Sequence, residues 1–472
     1  MANRTDVPDE LNPDALEAKQ HEGISNWVRQ NLGGEVREIG RTERWRPQWK
    51  VVYAKDGTTD TVFVRGDRPI ASKDGLRFEM EVMQALEANG IQVPHIYGWM
   101  DSPKAFVMEF IDTEDRAPGM LHTAIENPDV MTDDRWQAML SYMDHLARMH
   151  EVPVSEFTHI QGLRHLETAE EIALNETERY YRSGVKTGVV DATLAYLQSW
   201  LRRNVPQHRT QESFIAGDAG QFMSQGAEVL ALCDLEIACI GDTHWDLACF
   251  RGRHPYENMG DIPALYRRYA EASGKEVDLR VVGYHTVNFM QLSTIAAKWF
   301  MVPESTGANW IEGILEYASI SRRALEAIAE LHGIELDHDL HLSDAGIDAL
   351  EESGLTKLVL DVDRLPTSSA FEPWERGLLG SIPRFLLNYA RYRDWHNAAT
   401  QADISRMTGR SYDDPGAADV AVREIIASGD PARDDELVRI LHRRSLRLSM
   451  IIAGTDPNDA NPLFHKLDPI LG

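Results

Sequence analysis

Two aspartates at the ends of one short stretch are the first candidates for chemistry in this sequence. The stretch FIAGDAGQFMSQGAEVLALCDLE places Asp218 and Asp234 sixteen residues apart, with strand-like apolar residues around them and Gly, Gln and Ser between them. Carboxylates can accept protons and hold hard cations such as Mg²⁺, so the pair suggests a reaction that needs both. Aspartate is also common in turns and at strand ends, so either residue alone is compatible with a structural role.

The composition limits the classes of protein to consider. The chain of 472 residues is too long for a single hydrophobic core. A prior of about 150 residues per domain predicts roughly three compact units. The chain has 75 Asp and Glu against 48 Lys and Arg, a formal net charge of -27. So acidic a surface repels phosphate backbones, which argues against nucleic acid or an anionic membrane as the main partner.

The cysteines and the apolar runs indicate a compartment. Cys233, Cys239 and Cys249 form no C-x-x-C pair and are too few for a disulfide framework, so we expect buried thiols in a reducing environment. The polar N-terminal stretch lacks the apolar core of a signal peptide, and no run approaches the ~18 apolar residues of a membrane helix. We therefore expect a cytoplasmic protein.

The order of predicted elements divides the chain into four regions. Residues 1–35 are predicted to be a polar lead-in with a helix, and residues 36–111 a small sheet with one inserted helix, marked by the Asp-Gly turn of KDGTTD. Residues 112–333 are mainly helical and carry the two-aspartate hairpin. Residues 334–472 are again helical, with breaks at LPTSS, DDPGAAD and GDPARDD.

Five segments in this order resemble the aminoglycoside phosphotransferase and choline kinase-like family. AGDAGQFM resembles the family's H-G-D-x-x-x-x-N loop, and CDLEIACIGDTHWDLA is similar to its I-D-W-E and G-D-P-x-x-D-L-A segments. VFVRGD, LRFEMEVMQALEANGIQVPHIYGW and LARMHEVP resemble its cation-bearing strand, its pairing helix with the next strand, and a helix end. The resemblance spans about residues 36 to 330. It implies an α+β, protein-kinase-like fold of two lobes, followed here by a C-terminal helical domain.

The resemblance also implies roles for individual residues. Asp218 would orient the acceptor hydroxyl and take its proton, and Asp234 would hold Mg²⁺ between the phosphates of ATP. Arg65 would contact the phosphates and pair with Glu79, with Glu81 as the nearby alternative. Asp242 and Asp246 would brace the loop that bears the first aspartate, and one of them would begin a helix. An exposed ion pair is the plainer account of the Arg65 pairing.

The sequence departs from the family pattern at three places. Ala216 stands where the family has a bracing histidine, and Met223 stands where it has a metal-binding asparagine. A loop shortened by two residues aligns Gln221 with that asparagine, and its amide oxygen could bind Mg²⁺; the alternative is a solvent-facing turn residue. The segment GRTERWRPQW lacks the glycines of a phosphate-covering turn, so other residues are candidates to cover the phosphates: Arg44, Arg46 and Gln48.

Three functional hypotheses follow. The first is an ATP- and Mg²⁺-dependent phosphotransferase that phosphorylates a hydroxyl of a small molecule. Arg251, Arg253 and His254 after the site favour a neutral or anionic alcohol or phenol over a cationic acceptor. The second is a catalytically impaired relative that binds nucleotide or a partner, and the third is a helical interaction protein with an accidental kinase-like pattern. Product formation and Mg-ATP binding separate the three.

The remaining features favour ordinary structure. The DHDLH run contains His338, Asp339 and His341, but solvated side chains are a better account than a metal site. Trp45, Trp49 and Trp99 are expected to pack in the core and hinge rather than to cage a quaternary ammonium. The C-terminal region is predicted to pack on the helical lobe or to form a homo- or hetero-oligomer interface through the helix IPRFLLNYARYRDW, which contains Arg384, Phe385, Tyr389, Arg391, Tyr392 and Arg393.

Overall fold

The computed structural model of the protein describes residues 13–42, 46–67, 75–113, 131–302, 310–366, 372–412 and 414–471. The chain is an α+β protein with a small antiparallel sheet at its N-terminal end and helices over most of the remainder. This is the two-lobed, kinase-like arrangement that the sequence predicts, with further helices after the second lobe.

The sheet of the first lobe has five antiparallel strands in the order β1-β2-β3-β5-β4. The turn between β2 and β3 is the predicted one, because Asp56 and Gly57 both have a positive φ, at 50° and 82°. β1 was not predicted as a strand. It is a largely exposed edge strand with a register shift between Val36 and Glu38, so it lacks clean apolar alternation. The strands are β1 Glu35–Arg41, β2 Gln48–Lys55, β3 Thr58–Gly66, β4 Ile96–Asp101 and β5 Lys104–Glu109.

Two helices accompany this sheet. α1 (Pro13–Asn31) buries Ile24 and Val28 against the sheet core. α2 (Gly75–Ala88) lies between β3 and β4 in the chain and buries an apolar face at helical spacing, which joins the main core of the helical lobe. α2 therefore connects the core of the first lobe to that of the second.

The second lobe consists of helices around two small strand pairs. β6 (Ser213–Ile215) pairs with β9 (Cys239–Gly241), and β7 (Phe222–Gln225) pairs with β8 (Glu228–Leu232), both antiparallel. Phe222 stacks on Tyr142 of α3 and fixes the β7–β8 hairpin to the core. The helices are α3 Asp133–His150, α4 Ala169–Lys186, α5 Ala192–Arg203, α6 Thr243–Arg253, α7 Ile262–Ser273, α8 Leu279–Phe300 and α9 Trp310–His332.

Four further helices follow, and three of them share a core with the second lobe. Ile404 of α11, Val422 of α12 and Val438 of α13 are buried in one cluster with residues of α4, α5, α8 and α9. The helices are α10 Ala349–Asp363, α11 Glu372–Thr408, α12 Pro415–Ser428 and α13 Asp434–Ala453. Their ends coincide with the predicted breaks, where Pro415 begins α12 and Gly429 ends it with a φ of 65°.

The described helices include none with the length and apolar character needed to cross a membrane.

Candidate active site

Asp218 lies on the loop between β6 and β7, here called the Asp218 loop (residues 216–221). Gly217 and Gly220 on either side of it have φ values of 77° and 101°. A Cβ on Gly217 would lie 2.3 Å from the carbonyl oxygen of Ile237, so the loop packs directly against backbone. Position 217 therefore requires glycine for two reasons. A side chain would be strained at this positive φ, and its Cβ would clash with the Ile237 carbonyl.

Asp246 of α6 holds the start of this loop. Its carboxylate is fully buried and accepts hydrogen bonds from the backbone N–H of Ala216 (2.7 Å) and of Gly217 (2.9 Å). His150 lies 3.0 Å from the same carboxylate, and the Trp245 indole donates to the Gly217 carbonyl at 2.8 Å. Asp246 therefore braces the loop directly, and the alanine at 216 does not leave it unsupported.

The described contacts of Asp242 differ from the predicted hydrogen bond to the Asp218 loop. Asp242 is the N-cap of α6 and accepts from the backbone N–H of His244, as expected for an aspartate at a helix start. Its described side-chain partners are Arg209, at 2.8 and 2.9 Å, and the neighbouring histidines, rather than the Asp218 loop.

Asp234 follows β8 and has a φ of 59°, a left-handed conformation that is costly for a residue with a side chain. Arg65 of β3 donates to Asp234 at 2.6 Å and from Nε to Glu79 Oε2 at 2.9 Å, and its Nη2 lies 2.9 Å from the other Glu79 oxygen in an ion pair. Burial alone would lower the pKa of Arg65, but the carboxylates of Glu79 and Asp234 outweigh it and raise that pKa. The guanidinium of Arg65 thus links the sheet to Glu79 of α2 and to Asp234, the candidate metal ligand.

The pairing of Arg65 distinguishes the two acidic candidates on α2. Glu79 is 1% exposed and makes the contact, whereas Glu81 is half-buried and is not the described partner of this arginine. Because the pair is buried, the exposed ion pair considered from the sequence does not describe it. Arg46 lies 4.0 Å from Glu79 and is hydrogen-bonded to Glu236. Arg44 lies outside the described residues.

Asp218 is held by a residue of α6. Arg253 donates to one Asp218 oxygen from Nε at 3.0 Å and from Nη2 at 2.5 Å. The Nη1 of the same guanidinium donates to both oxygens of Glu257, at 2.9 and 3.1 Å. Burial raises the pKa of Asp218, and the Arg253 cation opposes that rise.

Gln221 is buried beside Asp218 and does not face solvent. It is 8% exposed, and its Nε2 donates to Asp218 at 2.7 Å. The solvent-facing alternative is therefore wrong. The described contact is made by the amide nitrogen, which orients Asp218. The amide oxygen is a donor of the kind that Mg²⁺ accepts.

Asp218 and Asp234 line one cavity of about 260 Å³ between the Asp218 loop, α6, α8 and α9. Among the described residues, its lining contains six carboxylates and one guanidinium, that of Arg253. Apolar walls complete it, with Phe289, Met290, Leu292, Phe300, Leu315 and Ile320 among them. The six carboxylates belong to Asp218, Asp234, Glu236, Glu257, Glu312 and Glu316.

The basic residues that suggested a neutral or anionic acceptor do not dominate this cavity. Arg251 is 1% exposed and is bonded to Glu330 and to the Asp468 carbonyl. His254 pairs with Asp468 at 3.2 Å. Only Arg253 lines the cavity, and its charge is matched by two carboxylates. The structure thus removes the support for that preference.

The residues present fit Mg²⁺ by their donor chemistry. Asp234 and Glu236 offer carboxylate oxygens at the cavity, and Gln221 offers an amide oxygen near Asp218. Hard oxygen donors of this kind suit Mg²⁺. An ion there would neutralise phosphate charge, and Asp234 would be its principal ligand.

A family model independently covers the part of the chain that carries these residues. The model of the phosphotransferase enzyme family (APH) matches residues 45–284, which is half of the chain. The chain belongs to the phosphotransferase enzyme family. The matched range includes Arg65, Glu79, Asp218 and Asp234 and excludes α9 to α13.

Solved structures similar to this phosphotransferase share little sequence with it. A macrolide 2'-phosphotransferase type I is 16% identical, with 61% of this chain and 92% of that chain covered and a TM-score of 0.45. An aminoglycoside phosphotransferase in ternary complex with ADP and hygromycin B is 12% identical (64% and 98% covered, TM-score 0.44). The ethanolamine kinase of Plasmodium vivax is 10% identical (67% and 89% covered, TM-score 0.46). No curated protein sequence matches the chain.

The other sequence candidates do not join the site. His341 is exposed and pairs with Asp456 at 3.1 Å, whereas His338 packs edge-on against the buried His442 beside Glu326. The three residues of the DHDLH run therefore do not converge on one ion. His338 instead lies with Glu326 and His442, and the ligand atoms of these three are within 4.8 Å of one another, close enough to hold a metal ion. Trp49 is fully buried in the sheet core, as expected, and Trp99 stacks with Arg77. Trp45 lies outside the described residues.

Several contributions to the site were missed from the sequence, among them Glu257 and the contact of Arg253 with Asp218. Glu236 lies two residues after Asp234 and pairs with Arg46, and the quoted stretch ends on it, so proximity was an available signal. Glu312 and Glu316 reach the cavity from α9. Nothing in the local sequence indicates that α9 forms a wall of this cavity, because its position depends on packing against α8.

Proposed function

We propose that this phosphotransferase moves the γ-phosphoryl group of ATP to a hydroxyl of a small molecule that also carries an amine and an apolar body. One observation carries the proposal. Asp218 and Asp234, from the two ends of one hairpin, line the same cavity, and Asp234 is tied to Glu79 through Arg65. Phosphoryl transfer requires positioning and charge neutralisation, and these residues supply both.

Asp218 is assigned to the acceptor. The acceptor oxygen forms a bond to the γ-phosphorus, the bond from that phosphorus to the leaving oxygen of ADP breaks, and the hydroxyl proton passes to the Asp218 carboxylate. Arg253 and Gln221 fix the orientation of this carboxylate through its two oxygens. Asp246 and the glycines keep the loop in place.

Arg65 is assigned to the nucleotide. Its guanidinium is anchored by Glu79 inside the protein, so its charge is held in place at the boundary between the sheet and the helical lobe. A guanidinium has donors in a fork that suits phosphate oxygens. Arg46, held by Glu236, is the second candidate on the sheet side.

The cavity lining supports an acceptor with a positive charge. Even when Arg65 and Arg46, which pair with Asp234 and Glu236, are counted beside Arg253, six carboxylates face three guanidiniums among the described residues. This excess of acidic groups favours an ammonium and disfavours an anion. The apolar walls from α8 and α9 favour a hydrocarbon portion next to the amine. An amphipathic amino alcohol combines both features.

An impaired, nucleotide-binding relative is the second candidate function. It is favoured by one observation: each of the two aspartates is engaged by an arginine, Asp218 by Arg253 and Asp234 by Arg65. An aspartate so engaged would have to release its partner or share it with substrate. Such a protein would bind Mg-ATP and form no phosphorylated product.

The experiment is a screen of hydroxyl compounds with ATP and Mg²⁺, read by the mass of the phosphorylated product. The panel contains amphipathic amino alcohols, matched neutral alcohols and phenols, and matched acids. Phosphorylation confined to the amines is the expected result. Phosphorylation of neutral or acidic members instead would refute the acceptor class, and Mg-ATP binding with no product from any member would favour the impaired relative.

A further inference from the structure

The exposed apolar side chains of this protein are concentrated in one place. Eleven large apolar side chains are exposed in the part of the chain that the structure describes, and seven of them lie on α10, at its end or on the first half of α11. Scattered exposed leucines are ordinary, whereas a cluster of them indicates an interaction surface. The seven are Leu350, Leu358, Leu360, Leu365, Leu379, Leu386 and Tyr389.

On α11 these side chains form a regular stripe. Leu379, Ile382, Leu386 and Tyr389 are spaced by three, four and three residues, which places them on one face of the helix. This is the a/d spacing by which helices pack against each other. Leu379 is 51% exposed and Leu386 is 40% exposed, so the stripe faces outward.

The other faces of α11 are already used. Arg384 and Arg391 reach α10 through Asp363 and Glu352. Phe385 lies against Trp310 of α9, with ring centroids 5.2 Å apart. The stripe is therefore not the face that joins α11 to α10 or to α9. The hairpin of residues 349–396, here called the α10–α11 hairpin, presents it outward.

Charge indicates what can approach this surface. The whole chain carries a net charge of -27, but residues 349–396 contain seven acidic and six basic residues. Several of these charges pair within the hairpin, as in the Lys357–Asp361, Arg391–Glu352 and Arg393–Glu351 pairs. Two copies of so acidic a protein repel each other overall, whereas this nearly neutral hairpin adds little to that repulsion. A strongly basic partner would instead be drawn to the acidic remainder.

We propose that the α10–α11 hairpin is the interface of a homodimer. Two hairpins related by a two-fold axis would pack as a four-helix bundle, with the stripes of the two α11 helices facing each other across the axis. Each subunit then contributes the same patch. An apolar and nearly neutral patch can contact its own copy without strong charge repulsion. The inference does not depend on the reaction that the protein catalyses.

The first test is the mass of the full chain in solution by sedimentation velocity over a range of concentrations. The expected species is a dimer of the 53.3 kDa chain. Leu379→Glu with Leu386→Glu should convert it to a monomer, because buried carboxylates would face each other across the seam. Val185→Glu, at a side chain on α4 that is 55% exposed, is the matched control and should leave the dimer intact.

A second variant keeps the test decisive if the double substitution does not fold. Leu386→Cys should give a disulfide-linked dimer on mild oxidation, and Val185→Cys should not. A wild-type chain that stays monomeric at all concentrations would overturn the proposal. A dimer that survives the double glutamate substitution, or a Leu386→Cys chain that crosslinks no better than the control, would overturn it as well.

Discussion

Arg253 holds Asp218 through two hydrogen bonds to a single carboxylate oxygen, at 3.0 and 2.5 Å, and it is itself held by Glu257, four residues further along the chain. Both hydrogen bonds to Asp218 come from Arg253, at the end of α6. The orientation of the proposed acceptor-binding carboxylate is therefore set by an element outside the loop on which it lies.

Replacing Arg253 is predicted to lower kcat for the phosphorylated acceptor. In Arg253→Ala, Asp218 loses its orienting donor and Glu257 its cation, so we expect a loss of ten-fold or more, which corresponds to about 1.4 kcal/mol of barrier. Arg253→Lys should lie between this variant and the wild type. The matched control is Arg267→Ala, at an arginine of α7 that is 67% exposed and should leave kcat unchanged. A wild-type kcat in Arg253→Ala would contradict the assigned role.

Replacing Gln221 separates two roles for its amide. If the amide oxygen binds Mg²⁺, Gln221→Ala lowers kcat by one or more orders of magnitude and raises the Mg²⁺ concentration needed for half-maximal rate. Gln221→Asn should be intermediate. If the amide serves only as the donor to Asp218, kcat falls while the Mg²⁺ titration stays the same. Unchanged kcat and unchanged titration would show that Gln221 takes part in neither role.

Removing the brace of the loop is predicted to reduce stability. Asp246→Ala leaves the backbone N–H groups of Ala216 and Gly217 without their described acceptor inside the core, which should lower the free energy of unfolding by about 3 kcal/mol or more. Asp261→Ala removes a partly exposed helix cap on α7 and should cost only about 1 kcal/mol. Urea unfolding measures both. Equal losses in the two variants would rule out the bracing role.

The C-terminal segment is predicted to be required for folding. Buried Arg322 and Arg323 donate to backbone carbonyls of residues 462, 463 and 465, and the N–H groups of residues 467, 470 and 471 donate to Glu326 and Glu330. Deleting residues 461–472 leaves buried guanidiniums without these acceptors, so we expect an insoluble or unfolded chain.

A point substitution in that segment provides the control. Arg251 binds the carbonyl of Asp468 and not its side chain, and that side chain is 63% exposed. Asp468→Ala should therefore change the free energy of unfolding by less than about 0.5 kcal/mol. A deletion that stays folded, soluble and active would contradict the importance of the segment.

Acid should destabilise the fold partly through one histidine of α11. Burial, with Arg444 nearby, lowers the pKa of His396 to about 4, against about 6.5 in the unfolded chain. The unfolded state then binds the proton first, so the free energy of unfolding is unaffected above about pH 6.5 and falls as the pH drops toward 4, by at most about 3 kcal/mol. His396→Gln should flatten this slope in part, since the pKa of His338 is also lowered to about 4. An identical slope in His396→Gln would refute the prediction.

The sequence predicts the local parts of this structure well. The turn at Asp56-Gly57, the helix ends near Pro415 and Gly429 and the hairpin between the two aspartates each depend on a few neighbouring residues with strong conformational preferences. The pairing of Arg65 with Glu79 was also predicted, from the resemblance of the strand and helix segments that carry them to those of the family.

Contacts that depend on packing between distant elements could not be read in the same way. Arg253 is thirty-five residues from Asp218, and its meeting with that residue depends on the direction of α6. The basic appearance of the segment FRGRH was misleading, since Arg251 turns toward the C-terminal segment over two hundred residues away. A sequence shows which residues are charged. It does not show which cavity a charged side chain faces or which acidic residue pairs with it.

Phosphoryl transfer by the wild type and two aspartate variants tests the central claim most directly. The measurement is formation of phosphorylated product from ATP and Mg²⁺ with the best amino alcohol of the panel, in parallel with a check of folding by circular dichroism. Asp218→Ala and Asp234→Ala are each predicted to abolish turnover while the fold is retained. A folded variant of either kind that keeps most of the wild-type kcat would contradict the proposed reaction centre.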